Sequence, residues 1–313
     1  MLITGAGGFA GRHLIRHLDA RGILSCPSAV RLPDRPAFRG LLKEFRPDAV
    51  VHLAAVSFLP SARDDPASAI RTNVEGTISV LESLNDADPA GRVRFVFASS
   101  AQVYRLGGAL PLIEDSPVEA ATLYGETKIA AEILSRSWCE APPARPLWIF
   151  RAFNHTGPGQ RPEFAAPSFA RQVAAMEAGL QKPILETGDL SVIRDFCDVR
   201  DVVRAYAEAA AGEAPPGIYN LSSGRSVSIE WIAGHFRSRS RVPFEIRPRN
   251  EPARSGEARE IRGSAAKAER AFGWKARIPL EETLDDLLSE WRERMKDGKV
   301  RGFEEPPGSG RPS

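Results

Sequence analysis

The chain opens MLITGAGGFAGRHLIRHLDARG: a short apolar run, then Gly5, Gly7, Gly8 and Gly11 in one turn, then an amphipathic stretch with helical spacing. Glycines let a turn adopt left-handed backbone and pass close to other backbone, and the helix that follows begins with unpaired amides. Strand, glycine turn and helix in that order form the fingerprint of a βαβ unit that seats a dinucleotide pyrophosphate on a helix N-terminus.

The rest of the first half agrees with that unit. Short β-rich apolar runs, Met1 to Thr4, Ala49 to Leu53, Val93 to Ser99 and Leu147 to Phe150, alternate with helical patterns. Such alternation predicts an α/β protein with a Rossmann-type doubly wound parallel sheet. From Tyr124 to Trp138, apolar Ile129, Ala130, Ile133, Leu134 and Trp138 recur at helical spacing, so Tyr124 and Lys128 share a face. Beyond Arg151 the chain turns loop-like and is punctuated by Pro and Gly. The expected division is residues 1–150 as the NAD(P)-binding domain and residues 151–295 as mainly a smaller C-terminal substrate-binding lobe, with some segments returning to the first domain. Residues 296–313, rich in Gly, Pro and charge, are expected to form a disordered tail.

Composition narrows the partners. Among 313 residues, 42 Lys and Arg face 40 Asp and Glu, a balance that gives no electrostatic reason to expect nucleic acid. Cys26, Cys139 and Cys197 lack metal-ligand spacing, so no metal is expected, and their odd number fits a reducing compartment. With no charged leader and no run of about 18 apolar residues, neither secretion nor membrane spanning is expected, and the location is read as cytoplasmic.

About 20 residues beyond the glycine turn, a carboxylate would hold the ribose 2′-hydroxyl of NAD. The stretch LSCPSAVRLPD instead offers Ser25, Ser28 and Arg31 ahead of Asp34. An arginine there suits a 2′-phosphate, so NADP(H) is the preferred cofactor and NAD(H) the alternative. Further along, Tyr124 and Lys128 lie one helical turn apart, which sets an ammonium beside a phenol and is expected to lower the phenol's pKa. Without such help a phenol near 10 is poorly matched to proton transfer at neutral pH. Ser100 ends a sheet strand, where open α/β folds place their ligands. His52 reads as a buried, hydrogen-bonded histidine and Asn73 as a residue that orders a turn near the site. Arg194 fits either an ion pair with Asp195 or Asp198 or a grip on a diphosphate.

These segments together resemble the extended short-chain dehydrogenase/reductase family in its sugar-nucleotide branch: GAGGFAG, PDAVVHLAA (47–55), DPASAIRTNVEGT (65–77), SSAQVY, YGETK, RAFNHTGPGQ (151–160), VIRDFCDVRDVV (192–203) and AFGW (271–274). NHTGPGQ with PSFARQ and RDFCDVRDVVRAY is most similar to the GDP-6-deoxy-4-keto-mannose reductases that form GDP-rhamnose, and next to the GDP-mannose 4,6-dehydratases. The resemblance implies hydride transfer at sugar C4, a C-terminal lobe that grips a GDP-linked sugar, and a homodimer or dimer of dimers. In that assembly each subunit contributes the helices at Ile70 to Leu84 and Tyr124 to Trp138 to a four-helix bundle. Carried over by residue, it implies a catalytic Ser100, Tyr124 and Lys128. Gly5, Gly8, Phe9 and Gly11 then serve the cofactor at the pyrophosphate turn, and Leu53, Ala54 and Ala55 line it. Asn154 would contact substrate phosphates or sugar, and Arg194 and Arg254 the diphosphate or ribose.

Gln102 separates the reactions of this branch. A 4,6-dehydratase must remove the C5 proton, and its relatives carry glutamate where this chain has Gln102. An amide has neither the basicity nor the proton for that step, though it can hydrogen-bond a sugar hydroxyl. The expected activity is therefore NAD(P)H-dependent reduction of a nucleotide-linked 4-keto-6-deoxy sugar. The alternatives are a nucleotide-sugar 4-epimerase, a GDP-mannose 4,6-dehydratase and a non-catalytic NAD(P)-sensing protein.

Overall fold

The computed structural model describes residues 1–141, 144–249 and 258–297. In chain order it contains β1 (Leu2–Thr4), α1 (Phe9–Ala20), β2 (Cys26–Pro27), α2 (Arg35–Phe45), β3 (Ala49–His52), α3 (Leu59–Asp64), α4 (Pro66–Ile70) and α5 (Gly76–Ala87). There follow β4 (Arg94–Ser100), α6 (Leu123–Glu140), β5 (Leu147–Ala152), β6 (Asn154–Thr156), α7 (Ala165–Glu177), β7 (Ile184–Thr187), β8 (Ile193–Asp198) and α8 (Val199–Ala211). The chain continues with β9 (Gly217–Leu221), β10 (Ser226–Ser228), α9 (Ile229–Arg239), β11 (Glu245–Pro248), β12 (Glu260–Ile261), α10 (Ala266–Phe272) and α11 (Leu280–Lys296).

Two compact units share these elements. The first is Met1–Thr156, Ser191–Ser228 and Ala253–Leu280, and the second is Gly157–Leu190, Ile229–Pro252 and Glu281–Ser313. The first unit carries a six-stranded sheet in the order β2-β1-β3-β4-β5-β9, and every pair in it is parallel. Its apolar runs are continuous because both sheet faces are covered. Ile3, Val51, Val96 and Phe150 pack on one side with α1 and α8, through Leu14, Leu18, Val202 and Val203. Their chain neighbours Leu2, Val50, Phe95 and Ile149 pack on the other side with α2, α5 and α6, through Phe38, Leu42, Val80 and Ala131. The same unit adds a small sheet in which β8 is paired by β10, β12 and β6. In the second unit β7 and β11 pair in parallel, and α7 packs on α9.

Two elements depart from the sequence reading. The single helix expected over Ile70 to Leu84 is divided: α4 ends at Ile70, Arg71–Glu75 form a wide π turn, and α5 begins at Gly76. Such a turn holds one residue more than an α turn, and here it buries Asn73. β2 is only two residues long and lies at the sheet edge, where Pro27, which has no amide to donate, is tolerated between the Cys26 and Ser28 amides that donate along β1. The segment expected to be a tail begins in α11, and its residues from 298 onward lie outside the described residues.

Candidate active site

Backbone crowding explains the glycines. Gly5 has φ +67°, and a Cβ there would lie 2.7 Å from the Ala54 nitrogen. A Cβ on Gly11 would stand 2.5 Å from the Gly5 carbonyl oxygen and 2.6 Å from that of Ala6. The turn is thus folded onto itself and onto the loop after β3, where Leu53, Ala54 and Ala55 are half-buried. Gly8 stands before α1 without a side chain to cap the helix, and Arg12 straps the turn by donating from Nη1 to the Gly7 carbonyl at 2.6 Å. An uncapped helix start beside tight glycines fits a dinucleotide pyrophosphate, with amides as donors and the helix dipole favouring its charge.

Behind this turn runs a directed chain of buried hydrogen bonds. Thr77 donates its hydroxyl to the Asn73 carbonyl at 2.7 Å, so its oxygen accepts from His52 Nε2 at 3.1 Å. His52 Nδ1 then accepts from Thr4 at 2.6 Å, and the Thr4 oxygen takes the Ala54 amide at 3.3 Å. Burial drives His52 down to about 3, with the Lys128 charge adding to the effect, so the ring is neutral and structural. Asn73 accepts from the Val56 amide at 2.8 Å and donates to the Val56 carbonyl at 3.2 Å and to Thr127 at 2.9 Å. Thr127 in turn donates to the Tyr124 carbonyl at 2.8 Å.

α6 starts where the Thr122 side chain accepts from the Gly125 amide at 3.1 Å. A Cβ on Gly125 would fall 2.3 Å from the Gln102 carbonyl oxygen, so this glycine lets α6 close on the turn that follows β4. That approach brings Tyr124 into a hydrogen bond with Ser100. Lys128 donates from Nζ to the Ala98 carbonyl at 2.7 Å and lies 5.9 Å from the Tyr124 ring centroid. Burial raises the Tyr124 phenol to about 12, against the pull of Ser100, and lowers Lys128 to about 8, against the Glu132 charge. The expected lowering of the phenol by Lys128 is therefore overturned: desolvation of the buried phenol outweighs any help from the ammonium. What results is a neutral phenol that holds its proton, next to a serine hydroxyl at the carboxyl end of a parallel strand.

The other expected residues are spread around this centre. Gln102 is half-buried in the short turn Ala101–Val103, its amide on the Ser100 oxygen at 3.2 Å. Phe9 stacks on His155, with centroids 6.1 Å apart and planes 6° from parallel. Asn154 is exposed on β6, and Arg31 is exposed after β2. Arg194 is 4% exposed, and its Nη1 braces β8 by donating to the carbonyls of Ile193, Ala258 and Arg259 at 2.8, 3.0 and 3.2 Å. Asp195 is engaged by Ser222 and Ser223 at 2.7 and 2.6 Å, and Asp198 by Arg200 at 2.7 Å. Arg254 lies outside the described residues. Sequence reasoning passed over Arg12, Glu132 and Arg151. For Glu132 the signal was its place one further turn along the Tyr124 and Lys128 stripe, and for the arginines none stood out from a charged composition.

The comparisons with known proteins agree with this geometry. Residues 1–222 match the NAD dependent epimerase/dehydratase family. GDP-6-deoxy-D-mannose reductase of Pseudomonas aeruginosa is 35% identical over 303 residues, which cover 95% of this chain and 98% of that protein. UDP-glucose 4-epimerase of Mycolicibacterium smegmatis is 30% identical, covering 94% and 99%. Among solved structures, that of RMD from Pseudomonas aeruginosa complexed with NADPH superposes with a TM-score of 0.86 at 34% identity, covering 94% of this chain and 99% of that one. With its parallel sheet, its glycine turn and a match over most of its length, the chain belongs to the NAD dependent epimerase/dehydratase family of extended short-chain dehydrogenases/reductases, and it is an NAD(P)-dependent oxidoreductase enzyme.

Proposed function

We propose that the protein reduces the 4-keto group of a nucleotide-linked 4-keto-6-deoxy sugar, GDP-4-keto-6-deoxy-mannose to GDP-rhamnose, with NADPH preferred over NADH. The observation that carries this reading is Tyr124 set beside Ser100 at the end of β4, in a chain 95% of which matches a GDP-6-deoxy-D-mannose reductase. A reduction needs an acid that keeps its proton until charge develops on the substrate oxygen, and a phenol near 12 meets that need. Reduced nicotinamide, when bound, supplies the hydride. Tyr124 gives its proton to the nascent alkoxide, Ser100 donates a hydrogen bond to the same oxygen, and Lys128 holds the cofactor ribose.

Gly5, Gly8, Phe9 and Gly11 seat the pyrophosphate end of the cofactor, Leu53, Ala54 and Ala55 form its wall, and Arg31 takes the 2′-phosphate. Gln102 and the exposed Asn154 are assigned to the sugar and phosphates, and Arg194 to bracing β8. Arg254 keeps its assignment to the diphosphate or ribose on the resemblance alone. Residues 1–150 are assigned to the cofactor and most of the later chain to the sugar nucleotide. We further propose a cytoplasmic homodimer or dimer of dimers; none of the described helices is long and apolar enough to cross a membrane.

The test is NADPH consumption by purified protein with GDP-, dTDP-, CDP- and UDP-linked 4-keto-6-deoxy sugars. Consumption is expected, fastest with the GDP sugar. No consumption with any of them, together with C4 inversion of a UDP-hexose, would make the protein an epimerase. Release of solvent-deuterated 4-keto-6-deoxy sugar from GDP-mannose and NADP in heavy water would make it a dehydratase and overturn the argument from Gln102.

A further inference from the structure

Tyr124 and Lys128 do not end the stripe that grips β4. One turn further along α6 stands Glu132, so the three side chains follow one another at four-residue spacing along one helix face. Each holds one of three consecutive residues of β4: Tyr124 the Ser100 side chain, Lys128 the Ala98 carbonyl, and Glu132 the Ser99 hydroxyl, which donates to Oε1. Lys128 is 3% exposed and Glu132 4%.

A carboxylate so deeply buried must be paired to remain charged. Arg151 provides the pairing in a fork, donating from Nε to Oε1 at 3.0 Å and from Nη2 to Oε2 at 2.7 Å. It stands directly across from Ser99 in the β4–β5 register. Its remaining Nη1 donates to the Glu114 carbonyl at 3.0 Å and the Tyr104 hydroxyl at 3.3 Å, and its guanidinium carbon lies 5.0 Å from the Tyr104 ring centroid. The carboxylate is therefore fixed in place by its neighbours.

We propose that Glu132 is a positioning residue of the active site: its carboxylate, held by Arg151, aligns the end of β4 and keeps the Lys128 ammonium charged. The proposal rests on the reading that Lys128 holds the cofactor. The groups that face Lys128 are the neutral His52 from β3, the Phe97 ring and Ala98 carbonyl from β4, and Tyr124 and Glu132 from α6. Arg151 stands behind Glu132 on β5. Within this set the Glu132 carboxylate is the neighbouring charge that favours the ammonium.

A carboxylate that only staples α6 to the sheet and one that also charges Lys128 differ in one readout, the pH profile of cofactor binding. The measurement is NADPH affinity by fluorescence titration from pH 6 to 10, which needs no keto sugar and so separates this proposal from the reductase assignment. Wild-type affinity falls as pH rises and Lys128 loses its charge. Glu132→Gln removes the charge that supports the ammonium and moves that fall about one pH unit lower, so that affinity between the two midpoints drops up to about tenfold. Glu132→Gln with Arg151→Met removes both charges and also places the fall below that of the wild type, since Glu132 is the charge that supports Lys128. This pair also leaves no lone buried charge, so it reports even if the single variant does not fold. A fall at the wild-type pH in the double variant, or in all three proteins, would reduce Glu132 to a structural staple and overturn the proposal.

Discussion

Lys128 keeps an ammonium where burial opposes it, and the opposition has a measurable sign. Its folded pKa of about 8 lies below the ordinary 10.5, so unfolding takes up protons between those values and stability rises with pH through that window. Below pH 8 the whole penalty is present, on the order of 3 kcal/mol. Lys128→Met removes it and leaves the Ala98 carbonyl without a donor, a loss of about 1 kcal/mol. The variant is expected to melt above the wild type at pH 7, with the advantage shrinking toward pH 10, while cofactor affinity falls; an advantage that grew with pH would reverse the argument. Tyr124→Phe should keep the fold and NADPH binding and cut turnover at least about a hundredfold, the scale of losing a general acid. Near-normal turnover in that variant would remove Tyr124 from the mechanism. At this scale the sequence was informative wherever chemistry is encoded in spacing, as with Tyr124, Lys128 and the glycines. Their protonation was not legible, because the phenol is raised by the cover that the folded chain lays over it. Arg31→Ala, argued from position alone, should weaken NADPH more than NADH in parallel titrations, and equal losses would remove the cofactor preference.

Between α4 and α5 the π turn does what an unbroken helix could not. It buries Asn73 so that its amide ties Val56, next to the proposed cofactor wall, to Thr127 in the turn that carries Tyr124. Asn73→Ala unpairs both Val56 backbone groups, and unmet buried partners cost about 1–3 kcal/mol. A lower melting temperature is expected together with a several-fold drop in kcat, since Thr127 loses its anchor beside Tyr124. A stability loss with unchanged kcat would show that the amide serves packing alone. Strands β3, β4 and β5 were legible because both their faces are buried and their apolar runs are unbroken. The break in the expected helix was not, since Val74 continues the apolar spacing from Ile70 to Ile78, and the tertiary hydrogen bonds of Asn73 that accompany the wider turn leave no local pattern. β2 gave no signal either, with just Cys26 and Pro27 paired to β1.

Association, as proposed above, would be a consequence of the same helices. α5 packs on α6, yet Ile133 of α6 is 58% exposed and Ile70, at the end of α4, is 42% exposed. Around Ile133, Leu134 and Trp138 are partly buried against the core that α5 shares, so the apolar face runs outward from packed side chains. A stable interface needs on the order of 1,200 Å² or more with an apolar centre, and an isoleucine more than half exposed beside such a face suits that centre. The sequence signalled this as apolar residues beyond the need of one sheet face, while the partner surface itself is not written in a single chain. Light scattering at micromolar concentration is expected to give a dimer or dimer of dimers, with a melting temperature that rises with protein concentration, because a partner that binds only the folded state stabilises it by mass action. Ile133→Glu buries a charge at the centre of that contact and should yield a monomer that still binds NADPH. A monomeric wild type, or an Ile133→Glu variant with undiminished mass, would place the interface elsewhere or remove it.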